Sequence, residues 1–280
     1  FIAGYLTIAF TWYLRNFLFL KTLMPSGGSK TLWLLSYNET FLFPADSLTM
    51  MHLLGGGIGL LIINRFDALF SNLANFIGVQ CSIFLLPLVL LGFWKTRLAN
   101  ISRFSVSVWL LILAIMSIVF PFAGARGGFF HSACALQAYI WALVPIGFGQ
   151  FIEYGVQKRR WNYEQSSKIF SVALVVLALI FSIFIFMNRV IGSDSQNPAW
   201  NTDQKMYQEI DQIIKMDNAP STARVIVINP PGYYLATNRE AIVTPDGDIS
   251  VQKLVSERYQ ACYLILEKDH VEGLNSLYIS

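Results

Sequence analysis

Apolar runs separated by short polar turns dominate the first two thirds of the chain. A hydrocarbon core of about 30 Å needs about 20 apolar residues in a helix. The runs 1–14, 73–94, 104–122, 133–154 and 169–190 read as membrane spans, the first as the tail of a longer one. Trp12, Trp94, Trp109 and Tyr154 fall near their ends, where ring and polar edge suit a membrane–water interface.

The stretch 15–72 breaks this pattern. Its aromatic and aliphatic residues alternate with Gly, Pro and Ser, which predicts a segment lying on the membrane surface. Within it Leu61, Arg65, Ala68, Leu69 and Asn72 recur at helical spacing. A charge at mid-bilayer costs about 2.5–3.5 kcal/mol. With Arg65 and Asp67 inside, an interfacial or re-entrant amphipathic helix is expected rather than a span. Gly55–Gly57 read as a hinge or close-packing point, because a phosphate loop requires a Gly-Lys-Ser/Thr continuation.

After residue 190 the pattern is that of a water-exposed domain. Tyr207, Ile210, Ile213 and Ile214 mark an amphipathic helix, and "ARVIVIN" is a β-branched run of strand length. "NPPGYY" predicts a turn, first of all a rigid one and alternatively a ligand position, since it lies at the carboxyl end of that strand, where open α/β sheets place ligands. "EAIVTP" predicts a second strand. Asp248 is a helix N-cap ahead of the apolar face Val251, Leu254, Val255 and Tyr259, and "ACYLILE" is a third strand. Strand–helix alternation predicts a small α/β unit with mostly parallel strands. The expected fold is therefore an α-helical polytopic membrane protein of about five spans, residues 1–190, followed by a small α/β domain, residues 191–280.

Charge fixes the expected sides. The turn "KTRLANISR" carries Lys95, Arg97 and Arg103 without an acid, and "QKRRWNYEQSSK" carries Lys158, Arg159, Arg160 and Lys168 against Glu164. Both read as cytoplasmic. The turn "AGARGGFFHS", the stretch 15–72 and the α/β domain are then extracytoplasmic, in a multi-pass protein of the cytoplasmic membrane. Charged residues make up 13 % of the chain and hydrophobic ones 55 %, far from the quarter charged of a soluble domain. A net charge of +3 scattered among loops excludes nucleic acid as the expected partner. Cys81, Cys134 and Cys262 are too few and too irregularly spaced for a disulfide framework or a cysteine metal site. The opening on Phe1 inside an apolar run and the ending "LNSLYIS" read as an internal piece of a longer protein.

Positive residues are disfavoured on the outer face, so Arg126 and His131, set across Gly127–Gly128, draw attention. Arg15 and Arg65 fall on the same expected side. Each has a plain alternative: Arg15 snorkels to the interface, Asn16 caps a helix, and His131 ends a helix hairpin. Lys21 and Lys30 read as solvated loop residues. In the tail, "DGD" and "EKDHVEG", with His270 beside Asp269, supply carboxylates that more commonly cap turns than catalyse.

"WYLRN" closing a span, the Gly/Pro loop "LMPSGGSKTLW", "RGGFFHS" before another span and the terminal "VINPPGYYLATNREAIVTPDGD…ERYQACYLILEKDHVEGLNSLY" occur in that order. Together they resemble the C-terminal part of bacterial GT-C type integral-membrane glycosyltransferases, relatives of the dolichyl-phosphate-mannose–protein mannosyltransferases. The resemblance covers nearly the whole chain. It implies an enzyme that moves a sugar, usually with inversion, from a polyprenyl-phosphate carrier to an acceptor outside the membrane. It implies Arg15, Asn16, Arg65, Arg126 and His131 as groups that hold the lipid phosphate or sugar. It further implies an acidic base, with a divalent cation as a possible helper, in a loop upstream of Phe1. No catalytic or metal residue is assigned on this chain, Asp46 and Asp67 included. The alternative is a non-enzymatic, membrane-anchored binding or assembly subunit. A transporter is disfavoured because the spans are almost free of charge, with Glu153 near a cytoplasmic end.

Overall fold

The structure is a computed structural model, which describes residues 2–23, 28, 30–193, 198–220, 222–268 and 270–277. In chain order it comprises α1 (Ile2–Leu20), α2 (Met50–Gly55), α3 (Ile58–Asn75), α4 (Leu86–Thr96), α5 (Asn100–Ala114), α6 (Pro121–Ala123), α7 (Phe129–Ala133), α8 (Gln137–Arg159) and α9 (Tyr163–Phe186). Then follow α10 (Thr202–Met216), β1 (Arg224–Val227), α11 (Pro230–Thr237), β2 (Ala241–Val243), α12 (Ile249–Tyr259) and β3 (Ala261–Leu264). Two compact units divide the chain: Phe1–Thr40 with Pro44–Tyr163, and Phe41–Phe43 with Glu164–Ser280.

Among the described residues three helical runs, not five, are long and apolar enough to cross a membrane: Asn100–Val119, Pro121–Arg159 and Tyr163–Ile191. They are compatible with a membrane protein. The expected span at 73–94 is interrupted. α3 passes through a π turn at Phe76–Gln80 and then breaks, with Ser82 (φ 48°) and Ile83 (φ 59°) in the left-handed region. That region is costly for a β-branched residue. α4 resumes only at Leu86 and is 11 residues long. The expected span at 1–14 is also different, since α1 continues to Leu20 and carries Arg15 and Asn16 within it. Two polar residues inside so short a helix dilute its apolar character.

In the first unit, glycines set the closest helix contact. A Cβ on Gly92 of α4 would collide with the Leu143 carbonyl, and one on Gly147 of α8 with the Leu88 carbonyl. Two backbones thus meet reciprocally: on each helix the glycine lies four residues after the carbonyl that the opposite glycine faces. Such small-residue contacts drive helix packing where lipid removes the hydrophobic incentive. Cys81, Val89, Ile140 and Leu143 fill the core beside this crossing. A second cluster, Leu113, Phe129 and Ala133, joins α5 to α7. Trp109 meets Phe129 edge-on with 6.0 Å between ring centroids.

The second unit begins with α9, an apolar helix with no buried residue in its spanning window. A helix apolar all round and uncovered suits lipid on every side. Beyond it, the sheet has order β2-β1-β3 with both pairings parallel, in register Val225↔Ala241 and Val225↔Tyr263. The strand assignments from periodicity agree, and Asp248 caps α12 by accepting from Ser250 N at 2.9 Å and Val251 N at 3.3 Å. "NPPGYY" is not a bare turn: it forms the start of α11. Asn229 accepts from Gly232 N at 3.1 Å, and the prolines occupy the first helical positions, where a missing N–H costs nothing. Tyr207, Ile214, Val225, Val227 and Tyr233 form the core on one face of the sheet, and Ile226, Val255 and Ala261 that on the other. Leu42 bridges to Asp246, which brings Phe43 against Tyr259.

A buried ion pair ties this unit together. Asp211, 2 % exposed, accepts from Arg239 Nε at 2.6 Å and faces Lys215 Nζ at 2.8 Å. Arg239 also donates to the Pro220 carbonyl at 2.9 Å and the Ala223 carbonyl at 3.2 Å, so its fork is occupied. Burial pushes the Asp211 carboxyl up. Hydrogen bonds from Lys215 and Arg239, with their charges, outweigh it and hold the group below its ordinary range.

Two predictions follow from these contacts. Gly147→Leu drives a side chain into the α4 backbone and lowers unfolding stability by about 1–3 kcal/mol in detergent melts. Arg239→Met leaves Asp211 buried without its partner and costs about 3–5 kcal/mol. Because the folded carboxyl titrates below the unfolded value of about 3.9, its stabilisation is present above that pH. It is lost as pH falls through the folded pKa, so the wild type shows an acid-side loss that Asp211→Asn flattens in pH-dependent denaturation.

Candidate functional site

The turn "AGARGGFFHS" lies in the reversal between α5 and α7, a kink from which α7 starts at Phe129. Phe120 (φ −122°, ψ 60°) ends the π turn Ile115–Val119, and the helical path is kinked again within Gly124–Gly128. The chain bends at Arg126 (φ −89°, ψ 22°) and Gly127 (φ 112°). A side chain is strained at that positive φ, which explains Gly127. Gly124 serves differently: a Cβ there would collide with the Met116 carbonyl. Across the reversal, Asn72 of α3 donates to the Met116 carbonyl at 3.3 Å and to Ser117 Oγ at 3.0 Å. Asn72 is fully buried. The helical face that suggested an interfacial helix therefore carries a buried polar clamp.

The surface segment 30–48 is built of short 3-10 turns, Lys30–Trp33, Asn38–Phe41 and Ala45–Ser47. Its docking is specific. Asn64 of α3 donates to the Leu35 carbonyl at 2.9 Å. Leu35 N donates to Glu39 Oε2 at 2.6 Å, and His52 Nε2 lies 2.9 Å from Glu39 Oε1. Leu35 packs into the space that a side chain on Gly56 would fill, while Gly57 (φ 81°) separates α2 from α3. The glycine run is thus a packing point and the break between two helices.

The expected phosphate or sugar groups are placed as follows. Arg126 stacks over Tyr37, with its guanidinium carbon 4.1 Å from the ring centroid. His131 is exposed and lies edge-on to Phe130, with 5.2 Å between centroids. Arg65 donates to the Leu61 carbonyl at 3.2 Å and lines a groove with Leu69, Leu113, Ser117 and Ile118. The groove has a volume of about 360 Å³. Arg65 is therefore level with the last residues before the reversal that carries Arg126 and His131. Arg15 and Asn16 are paired locally: Arg15 donates to Asn16 Oδ1 at 3.2 Å, and the buried Asn16 donates to the Leu23 carbonyl at 3.3 Å. Among the described residues no hydrogen bond or ion pair joins Arg15, Arg65, Arg126 or His131 to one another. Tyr37, Asn64 and Asn72, which hold this end together, carry no motif, and only the helical spacing of Asn72 pointed to any of them.

Among the described residues no group of three or more His, Cys, Asp or Glu converges. Glu39 is engaged by His52, Asp46 sits 3.7 Å from Lys30, and Asp67 is exposed. In the second unit His270 Nε2 lies 2.8 Å from Asn275 Oδ1. Residues 24–27 and 29 of the Gly/Pro loop, and Asp269, lie outside the described residues.

The Arg126–Tyr37 stack generates a direct prediction. Tyr37→Leu and Arg126→Met each cost about 0.5–1 kcal/mol of stability, and the double variant costs no more than either one. Equilibrium unfolding of the four proteins of that cycle measures it. No family model, curated protein or solved structure matches this chain.

Proposed function

We propose that this chain belongs to a membrane transferase that takes a sugar from a polyprenyl-phosphate carrier at the extracytoplasmic face. The groove beside Arg65 carries the reading. Its walls, Phe66, Leu69, Leu110, Leu113 and Ile118, offer an isoprenoid chain an apolar bed, and Arg65 supplies a cation beside it. Only one of the five guanidinium N–H donors is engaged by the Leu61 carbonyl. The others suit bidentate contact with a phosphate. The same groups favour transfer as well as binding, because departure of a lipid phosphate develops negative charge. A fixed guanidinium in a dry, low-dielectric setting stabilises that charge without reorganising.

The order of the quoted motifs supports the same chemistry, and the loop charges support the outer side for the reversal and the α/β unit. Arg126 and His131 enter as second contacts at the neighbouring reversal. Arg126, held on Tyr37, is positioned rather than free-swinging. Asn16 and Arg15 hold each other and take a lesser part.

The test uses the full-length protein in nanodiscs with a radiolabelled polyprenyl-phosphate sugar. Arg65→Ala is expected to lower transfer about 10- to 100-fold, with Arg65→Lys intermediate, since lysine keeps charge but not the fork. Transfer unchanged in Arg65→Ala, or no binding of the donor by the wild type, contradicts the proposal. The second result leaves the non-enzymatic anchored subunit as the reading.

A further inference from the structure

We infer that the α/β unit carries a separate binding site for an uncharged pyranose, in the crevice between the start of α10 and the start of α11. The topology puts it there. With strand order β2-β1-β3, the chain passes from β1 through α11 to β2 on one side and from β2 through α12 across to β3 on the other, and ligands favour the carboxyl ends of parallel strands where the winding changes side. Glu267, just after β3, closes the gap directly above β1. It accepts from Ile228 N at 3.3 Å and from Tyr207 OH at 3.3 Å. The crevice that stays open lies alongside, between Asn229 and the first turn of α10, with a volume of about 230 Å³. That is below the roughly 300–1,000 Å³ of pockets for drug-sized ligands, and suits a single ring.

The lining selects the chemistry. Trp200 stands at the crevice and is 66 % exposed, a large ring that no side chain covers among the described residues of the unit. Around it are Asn201, Asp203, Gln204 and Asn229, with Tyr207 beneath. The side chains of Asn201, Asp203 and Gln204 have no hydrogen-bond partner among the described residues. Amides both donate and accept, and a carboxylate accepts, which matches the mixed demands of vicinal hydroxyls. The flat indole offers its face to the C–H side of a sugar ring. The lining holds one carboxylate and no cation, which disfavours phosphate and acidic sugars. A single carboxylate is also too few for a hard cation.

The site stands independently of the transferase reading, because its assay contains no lipid donor and reads binding alone. The full chain in nanodiscs is titrated with methyl glycosides of glucose, mannose, galactose and N-acetylglucosamine, read by saturation-transfer NMR and indole fluorescence. A parallel arm presents the same sugars on diacylglycerol in the bilayer, which separates a free glycan from a lipid headgroup as the source. At least one sugar is expected to bind, about tenfold more weakly in Trp200→Ala and more weakly in Gln204→Ala. Methyl glucuronide is expected to bind at least several-fold more weakly than its neutral counterpart. Trp200 is exposed, so its replacement leaves the core intact, and far-ultraviolet dichroism checks this. Absence of binding by every glycoside in both arms, affinity unchanged in Trp200→Ala, or glucuronide binding as tightly as glucoside overturns the inference.

Discussion

Backbone polar groups in an apolar medium must find partners, and the first unit is organised around the places where its helices fail to supply them. The helical run through α3 ends at Gln80. The Gln80 carbonyl receives Gln137 Nε2 at 2.8 Å and Trp141 Nε1 at 3.1 Å, both from α8. At the other break, before the reversal, Asn72 reaches the Met116 carbonyl and Ser117. Each interruption is thus sealed by a side chain from a different helix. Sealing and tertiary packing are one event: the donors that satisfy the breaks also fix which helices adjoin.

That constraint shapes the candidate site. With α3 clamped to the end of α5, Arg65 is held against an apolar wall, close to where the chain reverses. The reversal in turn presents Arg126 to Tyr37 on the docked surface segment. Local bends that a lone helix would not tolerate become positions where polar side chains sit at the edge of an apolar bundle. Glycines complete the arrangement at points of closest approach, Gly92 and Gly147 between helices and Gly124 within the reversal.

Much of this was legible in the sequence where a single periodicity ruled. The strands β1, β2 and β3, the cap at Asp248 and the apolar helix α9 follow from alternation, capping chemistry and length. The failures have a common physical cause. The run 73–94 is as apolar as a span, but hydropathy does not register that Ser82 and Ile83 turn left-handed, nor that the Gln80 carbonyl beside them is met by donors 57 and 61 residues away. "NPPGYY" looks like a turn because Pro and Gly mark turns, yet two prolines after an N-cap Asn also open a helix. The Arg126–Tyr37 stack and the Glu39–His52 pair were invisible for the same reason, being contacts between segments with no shared pattern. At the polar crevice only the NPPG side, with Asn229 and Gly232, was readable as a strand's carboxyl end, since Trp200 and the first turn of α10 are brought to it by the tertiary fold.

The most direct test of the sealing account replaces both donors to the Gln80 carbonyl, in the double variant Gln137→Leu with Trp141→Phe, and measures its unfolding free energy in lipid. Both changes make the chain more apolar. If hydrophobic matching alone governs the bundle, stability holds or rises. The account predicts a loss of about 1–3 kcal/mol, from a carbonyl left without donors at a helix break. Stability equal to or above the wild type contradicts it.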